Sequence, residues 1–245
     1  MLPGGPGIGS ESLGELADAL DVPGEVWLVD LPGDGSNASA AADPYASWPH
    51  VLLEALDRFP RCVFVGHSTG GMYLLSVPEL EARLAGLALI SSAPDASWRA
   101  AFVAMTERDP LPAAARATAA YEAEPSVANL RALVLASAEW NFTPAGVARG
   151  RELLGRMPYN IPAVAWSARA FDDTYAAAWW PRALPTLILS GEDDRIVDQS
   201  LWARPAFQGP HVLHRTIAGA AHFPWIEQPA AVAAAFAELA TRLAT

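Results

Sequence analysis

Apolar residues along the chain fall into two alternating patterns. Short runs rich in Val, Ile and Leu stand at Val26–Asp30, Cys62–Val65, Gly86–Ser91, Pro185–Ser190 and Val212–Ile217, and each reads as a strand. Between most of them, apolar positions recur at helical spacing. Leu13, Leu16, Ala17 and Leu20 mark a helix over 11–20, with Ser10 or Ser12 as its cap. Tyr45, Trp48, Val51, Leu52, Ala55 and Leu56 mark another over 44–58, ended before Pro60. A closing amphipathic helix is predicted over 230–243. Strands buried on both faces and alternating with helices predict an α/β fold, a mostly parallel sheet with helices on both faces. Residues 95–183 break the alternation. They hold no convincing strand but several helical runs, including 112–123, 127–138 and 144–156.

Composition narrows the class. With 245 residues, 52% hydrophobic, and a mean hydropathy of +0.17, the chain suffices for one full core with a small addition. No apolar run reaches the roughly 18–20 residues of a membrane span, and residues 1–10 are Gly/Pro-rich without a basic segment, so no membrane and no secretory leader are expected. A net charge of −11 argues against nucleic acid as a partner. The single cysteine, Cys62, excludes an internal disulfide and reads as a small buried hydrophobe, and a cytoplasmic setting is expected. No Walker loop, dinucleotide fingerprint or metal-spaced Cys/His cluster occurs, so neither metal nor organic cofactor is expected.

Chemistry concentrates where strands end. After Val65 the chain reads Gly66-His67-Ser68-Thr69-Gly70, a G-x-S-x-G between a predicted strand and a predicted helix. In that setting the serine occupies a sharp turn that lifts its Oγ over the sheet, and small residues are required beside it. The loop Leu2-Pro-Gly-Gly-Pro-Gly-Ile-Gly-Ser10 offers backbone N–H groups that glycines bring close to a reacting carbonyl oxygen. Gly191 is followed by Glu192-Asp193-Asp194, and His222 follows the last predicted strand in Gly-Ala-Ala-His-Phe-Pro. His67 is too near Ser68 in sequence to serve as its base, and Asp30 reads as a loop-ordering residue.

Gly-Gly-Pro-Gly near the start, Asp-Leu-Pro-Gly-x-Gly at 30–35 and Gly-His-Ser-Thr-Gly-Gly at 66–71 together resemble the α/β-hydrolase superfamily, and within it the proline-iminopeptidase-like branch. The resemblance implies a serine hydrolase with Ser68 as nucleophile, His222 as general base and Asp194 as its acid, Asp193 being the off-by-one competitor. It implies an oxyanion hole from the N–H groups of Thr69 and Gly5, with Gly4 as alternate. It implies a core of residues 1–94 and 184–245 and an inserted helical cap at 95–183, whose aromatics would face substrate. Trp140, Tyr159, Trp166, Trp179 and Phe223 are the pocket candidates. The expected substrate is a small, fairly apolar ester or amide. A proline-iminopeptidase-type aminopeptidase, a lyase, or a ligand receptor on the same fold are the alternatives. Glu139 and Glu152 match no acidic substrate-binding residue of the branch.

Two departures stand out. Pro3 occupies the place of a histidine in that branch. Its members also carry a strand immediately before the oxyanion loop, between the strands at 26–30 and 62–65, where this chain offers only Met1 and Leu2. The expectation is that the start lies upstream, or that a compensating contact such as a homodimer covers the edge.

Overall fold

The computed structural model describes residues 1–37 and 44–244. Among them, β1 (Val63–His67), β2 (Gly86–Ile90), β3 (Thr186–Gly191) and β4 (Val212–Ile217) form one sheet in that order, every pairing parallel. Registers run from Val63 opposite Gly86, Leu87 opposite Thr186, and Thr186 opposite Val212. The period-2 alternation sends Ala88, Ile90, Leu187 and Leu189 to one face and Leu87, Leu89 and Ile188 to the other. Each face supports its own core. One packs against α1 (Gly14–Ala19) and α11 (Pro229–Leu243) through Leu16, Phe236 and Leu239. The other packs against α2 (Pro44–Arg58) and α3 (Thr69–Leu75) through Leu52, Leu56, Leu74 and Leu75. With apolar neighbours on both sides, β2 and β3 are buried along their whole length, which explains their apolar runs Leu87–Ile90 and Leu187–Leu189.

The segment joining β2 to β3 carries six helices, α4 (Trp98–Arg108), α5 (Pro112–Ala123), α6 (Val127–Ala136), α7 (Ala138–Asn141), α8 (Val147–Arg156) and α9 (Ile161–Ala170). Ser126 and Asn160 accept hydrogen bonds from the N–H groups of Asn129 and Ala163, so α6 and α9 begin where a capping side chain stands. The short α10 (Pro224–Glu227) precedes α11.

The N-terminal region departs from expectation. Residues 26–30 form no strand, and Val26, Trp27 and Leu28 are exposed rather than buried. Their ties to the sheet pass through Met1, whose carbonyl accepts from the Val29 N–H (3.0 Å) and whose amine donates to the Trp27 carbonyl (2.7 Å). Leu2 in turn bridges β1, accepting from the His67 N–H (3.1 Å) and donating to the Val65 carbonyl (2.8 Å). Past Met1 the space between residues 22–29 and β1 is an open apolar groove of about 660 Å³, walled by Val26, Trp27, Phe59, Val63, Phe236 and Leu243. Between this run and β1 the described residues form one isolated bridge, Leu2 with Gly66, and no ladder. Burial lowers the Met1 amine to about 6. Cys62, at the groove's edge, is half-buried rather than buried, and burial raises its thiol pKa. Among the described residues, no helix is long and apolar enough to cross a membrane.

Candidate active site

The site is built where β1, β3 and β4 end. Ser68 takes φ 50° and ψ −121°, a conformation that side-chain-bearing residues rarely hold. Hydrogen bonds brace it on both sides. Its N–H donates to the Ile90 carbonyl (2.8 Å). Its carbonyl accepts from the Gly71 N–H (3.0 Å) and from the Ser92 hydroxyl (2.8 Å). Two glycines make room for the turn. A Cβ on Gly66 would meet the Gly71 Cα at 2.5 Å, and one on Gly70 would meet the Pro3 carbonyl at 2.5 Å and that of Leu2 at 2.6 Å. The G-x-S-x-G spacing is thus explained by backbone crowding against α3 and against the N-terminal loop.

That loop lies on Ser68. Gly4 is buried, with its would-be Cβ 2.8 Å from the Ser68 Cβ and 2.9 Å from the His67 Nδ1. Gly5 is exposed, and its nearest neighbours are Gly7 and Ile8. Thr69 opens α3 and is buried. Two carboxylates hold the loop from behind. Asp34 accepts from the N–H groups of Gly7 (3.0 Å) and Gly35 (2.8 Å). Asp30 accepts from the N–H groups of Ser10 (2.7 Å) and Ser36 (2.8 Å), the loop-ordering work expected of it. Desolvation raises the pKa of Asp34, partly offset by its backbone donors.

His222 and Asp194 meet. The imidazole Nδ1 lies 3.1 Å from both Asp194 carboxylate oxygens, and both side chains are almost wholly buried. Asp194 also accepts from the N–H groups of Ile196 (3.0 Å) and Val197 (3.1 Å), while Asp193 faces solvent. A carboxylate in that position selects the tautomer with the proton on Nδ1 and leaves Nε2 as the basic nitrogen. Ser68 Oγ and the His222 ring form no hydrogen bond in this arrangement. Their neighbours join instead. The His67 ring, next to Ser68, donates through Nε2 to the His222 carbonyl (3.0 Å) and lies 4.9 Å from the His222 ring. Fully buried among His222, Phe223 and Trp225, His67 has its pKa driven well below the usual histidine value by desolvation and by His222. It is a neutral donor.

Glu227 holds the His222 loop, a role the sequence reading missed. Its carboxylate accepts from the Ala221 N–H (2.7 Å), the Thr143 N–H (2.8 Å) and the Thr143 hydroxyl (2.6 Å), joining that loop to the helical segment. The His222 N–H donates to the Asn141 carbonyl (3.1 Å) across the same junction.

The aromatic candidates divide. Trp166 is half-buried and lines a recess beside Gly4. Phe223 is buried against His67 and Phe142. Trp140 lies half-buried, 5.8 Å from Phe102, and donates to the Asp109 carbonyl. Two are packing residues. Tyr159 is buried in the α1/α11-side core with its hydroxyl on the Leu154 carbonyl (2.8 Å), and the Trp179 indole donates to the Leu74 carbonyl (2.9 Å) behind α3. Tyr45, Trp48 and Tyr73 line the Gly4 recess instead. Their sequence signal was the apolar face of α2 and α3, which reads as core.

Among the described residues, no cluster of His, Cys, Asp and Glu is arranged to hold a metal ion. Residues 1–235 match the model of the alpha/beta hydrolase family. A pimeloyl-[acyl-carrier protein] methyl ester esterase from Xanthomonas oryzae pv. oryzae is 29% identical over 219 residues, 82% of this chain and 79% of the relative. Among solved structures, a thermophilic esterase from Thermogutta terrifontis superposes with a TM-score of 0.64 at 20% identity, covering 100% of this chain and 89% of that one. The proline iminopeptidase of Mycobacterium smegmatis gives 0.59 at 19% identity, covering 99% and 89%. A family match across nearly the whole length, joined to a parallel sheet that carries a strained serine at a strand end, settles the assignment: the chain belongs to the alpha/beta hydrolase family.

Proposed function

We propose that this hydrolase is a serine esterase acting on a small, fairly apolar ester through an acyl-enzyme. Ser68 Oγ attacks the acyl carbon and its proton passes to His222 Nε2. Asp194 accepts from Nδ1–H and stabilises the imidazolium. The oxyanion forms against the Thr69 N–H and the N–H groups of the Gly4–Gly5 stretch. His222 returns the proton to the leaving alcohol. A water, deprotonated by the same imidazole, then releases the acid. The observation that carries the reading is the buried His222–Asp194 contact at the ends of β4 and β3, on the side of the sheet where Ser68 is held at φ 50°. Substrate binding supplies the serine–imidazole hydrogen bond, a contact that is commonly long before substrate arrives.

The helices between residues 95 and 183 are the cap in this reading, inserted in a core of residues 1–94 and 184–245. Glu227 and Asn141 seat it on the His222 loop. The Xanthomonas relatives are named for a methyl ester borne on a carrier protein, which favours a small leaving alcohol and makes a carrier-borne ester the second reading. A panel of short p-nitrophenyl esters beside Pro-p-nitroanilide, wild type against Ser68→Ala, tests the proposal. Ester turnover that disappears in the variant supports it. Turnover of the anilide alone makes the enzyme an aminopeptidase, and undiminished turnover in the variant removes Ser68 from the mechanism.

A further inference from the structure

Asp34 is a buried carboxylate, and among the described residues no ion pair includes it. The charge that acts on it most is another carboxylate, Asp30, which opposes its ionisation. Its carboxylate receives the backbone N–H groups of Gly7 and Gly35, with that of Gly9 also acting on it, which leaves part of its acceptor capacity over. A buried acid without a cation is costly.

The surroundings suit a cation. Asp34 lines the recess beside Gly4, with Tyr45, Trp48, Tyr73 and Trp166 as its other walls. These rings touch one another, Tyr45 on Trp166 at 5.4 Å, Trp48 on Tyr73 at 4.6 Å and Tyr73 near Trp166 at 6.3 Å. Aromatic faces attract positive charge, Trp most strongly. Within the recess there is room for little more than one water-sized group, about 20 Å³. An –NH₃⁺ has that size, and a trimethylammonium does not. The recess shares Gly4 with Ser68, so a group seated there is a short chain's length from the serine.

We propose that the recess bounded by Asp34, Trp48, Tyr73 and Trp166 binds a primary alkylammonium group of the substrate, making the preferred ester one that carries a free amine. The carboxylate pairs with the ammonium, which donates to a remaining lone pair, and the ring faces attract its charge. The substrate claim rests on the esterase reading; the binding claim does not. None of the residues lies on the helical segment except Trp166.

Calorimetric titration of the Ser68→Ala protein separates the two claims, because binding is read without turnover. The ligands are n-butylammonium, 1-butanol and tetramethylammonium, against the otherwise wild-type recess, Asp34→Asn and Trp166→Leu. The proposal expects n-butylammonium to bind at least about tenfold tighter than 1-butanol, as a desolvated charge pair requires. It expects tetramethylammonium to bind no better than the alcohol. Asp34→Asn should bring the amine and the alcohol within twofold, and Trp166→Leu should weaken the amine severalfold; if Asp34→Asn fails to fold, Trp166→Leu decides. Equal binding of amine and alcohol would overturn the subsite, leaving Asp34 to hold the loop over a resident water. So would a tetramethylammonium affinity matching the amine's, which would mean unspecific attraction to a chain of net charge −11. Amine preference with no ester hydrolysed by the wild type leaves the subsite standing and removes the esterase reading. Hydrolysis without amine preference does the reverse.

Discussion

Replacing Gly70 with alanine tests whether the N-terminal loop is part of the active site. The new Cβ would stand 2.5 Å from the Pro3 carbonyl oxygen and 2.6 Å from that of Leu2. Ordinary carbon–oxygen contact begins near 3.4 Å, so the loop must retreat by about 0.8–0.9 Å, because α3 is fixed from beneath by β1 and Ser92. Both oxygens are backbone, so no rotamer change relieves the clash. The retreat carries Gly4, the next residue, off Ser68. A misplacement of that size costs on the order of 10² in rate when the displaced groups stabilise the transition state. Overpacking also destabilises by about 1–3 kcal/mol, which lowers Tm by roughly 2–4 °C per kcal/mol for a chain of this length. The assay is kcat/KM on p-nitrophenyl acetate at a temperature where circular dichroism shows the variant folded. Gly155→Ala is the control, since its Cβ meets nothing within 4 Å and alanine favours the helix. A folded Gly70→Ala protein with full activity would refute the assignment of the loop to the oxyanion hole.

Glu227→Gln keeps the shape but puts an amide against donors. We expect a cost of about 2–3 kcal/mol in stability and a fall in kcat exceeding any change in KM, measured by urea unfolding and ester kinetics. His67 is held neutral with its pKa below the unfolded value of 6.5, so the unfolded chain binds the extra proton and stability is lost as pH falls below about 6.5. Tm measured from pH 7 to pH 5 should therefore drop less steeply in His67→Gln, which cannot take up that proton; parallel curves would refute this. A segment of alternating valines placed before Met1 should enter the groove and run parallel to β1. Each inward valine contributes roughly 1.5–3 kcal/mol. Calorimetry should show a rise of several degrees, and an unchanged Tm would mean that the groove does not accept a strand.

Four of the strands and most helices were legible in the sequence because their signals are local. Val63–Val65, Leu87–Ile90 and Leu187–Leu189 are apolar throughout, as strands covered on both faces must be. Residues 26–30 carry the same signal, yet pairing is not local. Between this run and β1 the described residues make one isolated bridge, at Leu2 and Gly66, so the segment has the composition of a strand and no ladder to join. Asp194 and His222 could be named because each follows a strand within a recognisable turn, and the coordinates bring that pair to 3.1 Å. The aromatic pocket was less legible. Tyr159 and Trp179 differ from Trp166 only in where tertiary packing turns them, and nothing local in Leu-Pro-Gly-Asp-Gly marks Asp34 as buried.

In the proposed mechanism Ser68 bears the acyl group. Rapid acid quench of the wild type during p-nitrophenyl acetate turnover, followed by peptide mass spectrometry, tests that most directly. One acetyl group is expected, carried on Ser68 and absent from Ser68→Ala, whose turnover falls by about 10⁴-fold or more. Continued hydrolysis with Ser68 unmodified, or with alanine in its place, would contradict it.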